Sequence, residues 1–484
     1  MKKNRLEKKR IVEGAVVGFG GILFLLYFSY MTSPLFPRAH GWDSAFFQLV
    51  GAGMTKGYLP YRDFFDMKGP WLFFIEYAAE SVWYGRNGVF LMQCVWLCSV
   101  LYLCLRIFKK YFNGGGLCSS LVMLLPFYVM LSSTMEGGNL TEEWSLPFLF
   151  LPMYLALDFI MDGKEEHNPW HGFVYGLCFG VITLIRVINA VMIGAVVLTV
   201  SFYLIKNRRW KNWAQNIGMF LLGTVAAFLP PLLYFGYYGE IGNMLYCVFV
   251  FGYIYGTEGF GIGAGGFFLL TLLFPIGVFL ATGQKNRRLW MLVLWNTAGM
   301  MITLGMGNSS FHDYIIIIPG MMLGVWKMLE AWKERTLDRK RGWLAAAVMV
   351  LCFSYPCYKM AGAGVSIFRQ AGDDTVYRHV KEAEAYIPVQ ERDSVWGYEV
   401  PLRWYTITDI MPCSRYCGWQ EHYMQLSETI EAELNEMFEV QAPKWIVTKT
   451  SAVIENGMVK KRLQDNYEEV MENEDCRLYR QKEG

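Results

Sequence analysis

The chain has 484 residues, 54% of them hydrophobic and only 18% charged, with 34 Phe, 29 Tyr and 17 Trp. That apolar and aromatic share exceeds what a water-soluble domain carries, so residues 1 to about 360 need lipid to cover them. The net charge of +2 comes from short bursts of Lys and Arg, not from one long basic face, which argues against a nucleic-acid partner.

Ile11 to Met31 is an apolar run preceded by Lys2, Lys3, Arg5, Lys8, Lys9 and Arg10, and it predicts a first membrane helix with its N-terminus inside. The rival is a cleaved signal peptide. The run is longer than a typical signal core and no small-residue cleavage site precedes Pro34, so an uncleaved anchor is expected. Further apolar runs lie at 88–107, 117–134, 144–161, 172–205, 214–236, 267–281, 289–305, 313–331 and 342–360. Basic bursts at Lys109/Lys110, at Lys206 to Lys211, at Lys285 to Arg288 and at Lys333 to Arg341 are then cytoplasmic. With Lys164 and Lys206 both inside, the run 172–205 must cross twice, turning near Arg186 and Asn189. The expected sum is a mainly α, polytopic transmembrane helical bundle of about eleven helices. Residues 361–484 turn polar and mixed, with a helical stretch at Ser427 to Phe438 and a β-like run Trp445 to Thr448. They predict a small extracytoplasmic α/β domain.

The 11 Cys are mostly small hydrophobes inside apolar runs, as at Cys94, Cys98, Cys104, Cys178 and Cys352, and none has metal-ligand spacing. Cys413 and Cys417 suit a disulfide if their domain lies outside, or stay reduced.

Polar chemistry concentrates in the outer loops. The first, 32–87, is far longer than a turn requires and holds Asp43, Arg62, Asp63, Asp66, Lys68, Glu76 and Glu80. Trp42, Phe46, Phe47 and Val50 lie near helical spacing around Asp43, which predicts a helix in the membrane interface. Asp43 then either caps that helix or faces a cavity. Gly57 to Pro70 packs turn formers and both signs of charge into a shaped loop. Lys68 suits a phosphate at the membrane surface. The plainer reading is that Arg62, Asp63, Asp66 and Lys68 pair among themselves. The second loop, Glu136-Gly137-Gly138-Asn139-Leu140-Thr141-Glu142-Glu143, places three carboxylates where one helix ends and the next begins, with Thr141 as a candidate cap. Arg186, Asn189, His312, Asp313 and Tyr314 add polar groups at the same depth.

These loops resemble those of the GT-C membrane glycosyltransferases, in particular the bacterial protein-mannosyltransferase and aminoarabinose-transferase-like group. The motif residues are Asp43, then Gly57, Pro60, Tyr61, Asp63, Asp66, Lys68, Gly69 and Pro70, then Asn139, Thr141, Glu142 and Glu143. Arg186, Asn189 and the His312/Tyr314/Pro319 segment follow in order. Met67 departs from relatives that often carry His there, which weakens a metal-assisted variant. The resemblance implies a transmembrane glycosyltransferase domain over 1–360 that takes a polyprenyl-phosphate-linked sugar from the bilayer. It implies transfer to an extracytoplasmic acceptor, a cell-envelope glycan, lipid or protein, with inversion. Asp43 would be the general base. Lys68, Arg62 and Arg186 would hold the leaving phosphate, and Asp63, Asp66, Asn139, Glu142, Glu143, His312 and Tyr314 would line the substrate site. No cofactor is implied, and a divalent cation, though compatible, is not indicated. A transporter or flippase of a lipid-linked precursor is the alternative. It should show a repeated half or a midplane site on broken helices, and no repeat is visible. A non-catalytic scaffold would leave the Asp43 and Lys68 loop without a purpose.

Overall fold

The computed structural model describes residues 2–39, 41–257, 260–261, 269–305, 307–308, 310–370 and 373–483. Among them, eight helices are long and apolar enough to cross a membrane: Lys8–Phe28, Arg86–Tyr111, Leu117–Thr134, Thr141–Met161, Val187–Lys206, Trp210–Tyr237, Phe311–Lys333 and Arg339–Phe368. The other apolar runs form the helices Pro169–Thr183, Leu269–Ala281 and Arg287–Gly305. Residues 267 and 268, at the start of one expected run, lie outside the described residues. The chain is a multi-pass membrane protein. The expected break within 172–205 falls where the helix Pro169–Thr183 stops, and a short 3₁₀ turn, Val187–Ala190, leads into Val191–Lys206.

The chain divides into two compact units. The first comprises 1–30, 90–237 and 256–367, and the second 31–89, 238–255 and 368–484. Composition changes near residue 360, whereas compactness groups the long first loop with the C-terminal segment.

In the first unit, water cannot drive helix against helix, so close backbone approach does much of the work. Gly172, Gly176 and Gly180 recur every fourth residue along one stripe. A Cβ on Gly176 would sit 1.8 Å from the carbonyl oxygen of Phe220, and one on Gly172 would sit 2.6 Å from that of Asn216. Only glycine lets the helices Pro169–Thr183 and Trp210–Tyr237 come this near. The outer side of the latter is left to lipid, with Leu221, Leu222, Val225, Leu229 and Leu233 all exposed.

The second unit is built on a four-stranded sheet. Its strands are β1 (Val395–Tyr398), β2 (Trp445–Lys449), β3 (Tyr467–Glu472) and β4 (Cys476–Gln481), in the order β1-β2-β4-β3. β1 and β2 run parallel, with Val395 opposite Trp445, and the other two pairings are antiparallel. The expected helix appears at Glu428–Val440 and the expected strand at Trp445–Lys449. Cys413 and Cys417 are free thiols. Phe65 ties the first loop into this unit. Its amide donates to the Arg415 carbonyl at 2.9 Å, and its ring packs on Tyr416, Tyr423 and Phe251.

The helix Asp43–Thr55 corrects one expectation. It is not a helix with one face laid against lipid but one enclosed by protein: ten of its thirteen residues are buried, from Ser44 through Met54. Its spacing read as amphipathic because the run is apolar with a polar start, and such a run fits a helix enclosed by protein equally well.

Candidate active site

The expected site residues fall into two groups, one in each unit. In the second unit, Asp43 is the first helical residue after the cap position, which Trp42 occupies without a side-chain hydrogen bond. Asp43 is half-buried at the positive end of its helix, where a carboxylate is favoured. The cap position itself belongs to Trp42 and not to Asp43.

The 57–70 loop is shaped by its own polar groups. Asp63 Oδ2 accepts the Leu59 amide at 2.7 Å, and Tyr61, at φ 69° and fully buried, donates its hydroxyl to the Lys68 carbonyl at 2.8 Å. Asp66 Oδ1 accepts the Lys68 amide at 2.5 Å, and Gly69-Pro70 starts the helix Pro70–Val82 with proline at its first position, where no amide is needed. Asp66 is 2% exposed. Burial raises its carboxyl above the usual range; the Lys68 charge and amide oppose this, and nearby Asp43 adds to it. Asp43, Asp66 and Lys68 therefore share one neighbourhood. Arg62 pairs with Asp63 at 2.7 Å, as the plainer reading of the loop anticipated.

In the first unit the acidic loop has a structural reason for its glycines. Glu136, Gly137, Gly138 and Asn139 all adopt positive φ, from 43° to 96°, a conformation glycine takes freely. A Cβ on Gly138 would also lie 2.2 Å from Ser29 Oγ. Asn139 accepts the Trp144 indole N–H at 2.9 Å. Thr141 is not the cap: the cap position is Leu140, whose amide donates to Glu143 Oε2 at 3.3 Å. Glu143 Oε1 also accepts Gln93 Nε2 at 3.1 Å, so this glutamate holds the loop.

Glu142 behaves differently. Its Oε1 pairs with Arg186 Nη1, which reaches Asp313 Oδ1 at 2.5 Å, and Asn189 Nδ2 lies 3.4 Å from the same Glu142 oxygen. The Oε2 of Glu142 is buried without a hydrogen-bond partner among the described residues. Such an atom is costly unless water or a ligand meets it. His312 Nδ1 stands 2.7 Å from Glu136 Oε2, and Tyr314 is fully buried beside it in the chain. One ligand atom each from Glu142, His312 and Asp313 falls within 4.8 Å of the others, a spacing that suits a metal ion. Arg186, bridging the two carboxylates, already supplies the positive charge there.

Reading the sequence by loops missed Glu136 as the partner of His312, Gln93 beneath Glu143, and Arg415. Arg415 Nη1 lies 3.4 Å from the Tyr61 carbonyl, and its Nη2 pairs with Glu433 at 2.6 Å. Only the odd placement of a Cys-Ser-Arg-Tyr-Cys run hinted at it.

Helices and sheet together define a polytopic, mainly α membrane architecture with a small α/β domain. Among solved structures the likeness is particular. ArnT from Cupriavidus metallidurans bound to undecaprenyl phosphate superposes with a TM-score of 0.62 at 10% identity, over 96% of this chain and 97% of that one. The same protein in its apo state gives a TM-score of 0.57 at 11% identity, over 97% and 98%. No family model and no curated protein sequence matches. The fold is therefore that of ArnT along almost the whole chain.

Proposed function

We propose that the chain is an integral membrane glycosyltransferase that moves a sugar from a polyprenyl-phosphate donor to an extracytoplasmic acceptor. The observation that carries this reading is the ArnT fold, solved with undecaprenyl phosphate bound, together with an Asp43/Asp66/Lys68 neighbourhood in the long first loop. By the basic bursts, the N-terminus is cytoplasmic and residues 361–484 are extracytoplasmic, with 1–360 as the catalytic membrane domain.

In this mechanism an acceptor hydroxyl or amine attacks the anomeric carbon and gives its proton to the Asp43 carboxylate. The bond from the anomeric carbon to the phosphate oxygen breaks on the opposite face, so configuration inverts. The departing polyprenyl phosphate keeps the electron pair, and a cation must meet it. Lys68 is the first choice for that cation. Arg62 and Arg186 are the further candidates, in that order. Glu142, whose Oε2 has no hydrogen-bond partner among the described residues, is the better candidate of the glutamate pair for a substrate hydroxyl, with His312 and Asp313 in the same cluster. Asp63, Asn139 and Glu143 serve by holding the loops.

The test is Asp43→Asn in the purified full chain, assayed for sugar transfer from a polyprenyl-phosphate donor. The variant should insert and fold normally and lose transfer by at least about 100-fold, the usual worth of a general base. Undiminished transfer would remove Asp43 from the mechanism.

A further inference from the structure

We infer that a cavity at the sheet edge of the second unit is a saccharide subsite, and that it seats the sugar unit of the acceptor. This rests on the glycosyltransferase reading for the word acceptor, but not for the sugar itself. The cavity, of about 220 Å³, is lined by Trp42, Glu399, Leu402, Trp419, Lys449 and Ser451 among others.

Three independent features point to a ligand. The first is topological: Glu399 directly follows β1, and Lys449 and Ser451 end and follow β2, so the cavity opens at the carboxyl ends of two adjacent parallel strands. Open α/β sheets bind their ligands there, because successive loops diverge at that edge. The second is backbone conformation. Glu399 and Trp419, both lining the cavity, adopt φ of 52° and 54°, which side chains other than glycine rarely take. Such conformations gather where a side chain must be aimed. The third is the lining itself. Two indoles offer flat apolar faces, and each also carries one N–H donor. Glu399, Lys449 and Ser451 offer an acceptor, a cation and a hydroxyl around them. A pyranose has apolar C–H faces and an equatorial belt of hydroxyls, which this pairing of flat rings and polar rim matches.

Placement favours the acceptor over the donor. Trp42 is the cap residue of the helix that begins at Asp43, the proposed base, so the cavity and that carboxylate are carried by the same short stretch of chain. Glu399 is held in place by its neighbours, since its Oε1 accepts the Glu421 amide at 2.9 Å and its own amide donates to Gln420 Oε1 at 3.0 Å.

The experiment uses the full chain in lipid nanodiscs and saturation-transfer NMR with methyl glucopyranoside, N-acetylglucosamine and methyl glucuronide as probes. At least one should show saturated ring protons. Its apparent Kd should rise at least about fivefold in Trp42→Ala and in Lys449→Ala, the effect of losing one anchor contact. Lys449 is a partly exposed strand-end residue, so its variant remains informative should Trp42→Ala misfold. Absence of saturation for all three probes, or equal saturation in both variants, overturns the subsite. Undecaprenyl phosphate should leave the sugar signal in place; displacement would assign the cavity to the donor and overturn the acceptor role. The signal should persist in Asp43→Asn. A wild-type chain that binds the probes but transfers no sugar would refute the glycosyltransferase reading and leave the subsite standing.

Discussion

Replacing Arg186 by Met strands two carboxylates that the guanidinium now holds together. The Glu142 side chain is fully shielded from solvent and that of Asp313 is 12% exposed, so neither can recover its hydration by a small movement. Breaking a buried pair by removing one partner typically costs about 3–5 kcal/mol, and protonation of one carboxylate would bring the loss toward the lower end. With an unfolding entropy of about 2 cal/mol/K per residue, a chain this long loses roughly 1 °C of Tm per kcal/mol, so Tm should drop by about 3–5 °C. The chain carries its own reporter. Cys104, Cys178, Cys247 and Cys352 are buried, and a thiol-reactive fluorophore will label them only as the fold opens, after the exposed Cys118, Cys357 and Cys413 have reacted. The double variant Arg186→Met/Glu142→Gln should regain at least about 1 kcal/mol relative to additivity, since one of the two stranded charges is gone. A Tm within about 1 °C of wild type, or a double variant no better than the additive sum, would refute the view that this network is a buried charge balance.

Other expectations follow from particular side chains. Glu80 accepts the Gly85 amide at 2.5 Å, and burial pushes its carboxyl up to about 7. A raised acid binds its proton more tightly when folded, so stability should fall as pH rises from about 4.5 and level off above about 7, losing on the order of 2–3 kcal/mol. Denaturation at pH 5 and pH 8 checks this, and Glu80→Gln should flatten the difference. Gly176→Ala should lower thermal stability by at least about 1–3 kcal/mol, because the methyl group meets the Phe220 backbone; unchanged melting would show that the two helices part at no cost. A cysteine at Val440, 78% exposed, should react with a membrane-impermeant thiol reagent on intact cells, over the background of a Cys413→Ser chain. Labelling only after lysis would invert the proposed orientation.

The membrane helices were legible because a lipid-facing run needs only length and hydropathy, which are local properties. The break in 172–205 was legible for a related reason: basic residues at both ends call for a turn near Arg186, and the helix Pro169–Thr183 ends just before it. The environment of the Asp43 helix was not. An apolar run beside one carboxylate reads the same whether it lies against headgroups or inside protein, and only contacts with residues hundreds of positions away decide between them. The acidic loop was legible as important but not in its division of labour. Glu142 and Glu143 are neighbours in chain, yet a helix points them about 100° apart, one to Arg186 and one back to Leu140 and Gln93. The His312 to Glu136 contact joins residues 176 apart, and no local pattern announces it.

The Phe65 anchor bears on how such proteins diversify. The amide of Phe65 is held by Arg415, and its ring is packed by Tyr416 and Tyr423, so the chemistry-bearing loop takes its shape partly from the far end of the chain. A chimera that swaps residues 368–484 as a cassette would deform that loop; the graft must carry residues 31–89 with it. Recombination between relatives would then succeed only when both segments travel together, so the first loop and the C-terminal segment are inherited as a linked pair although they lie far apart in the gene.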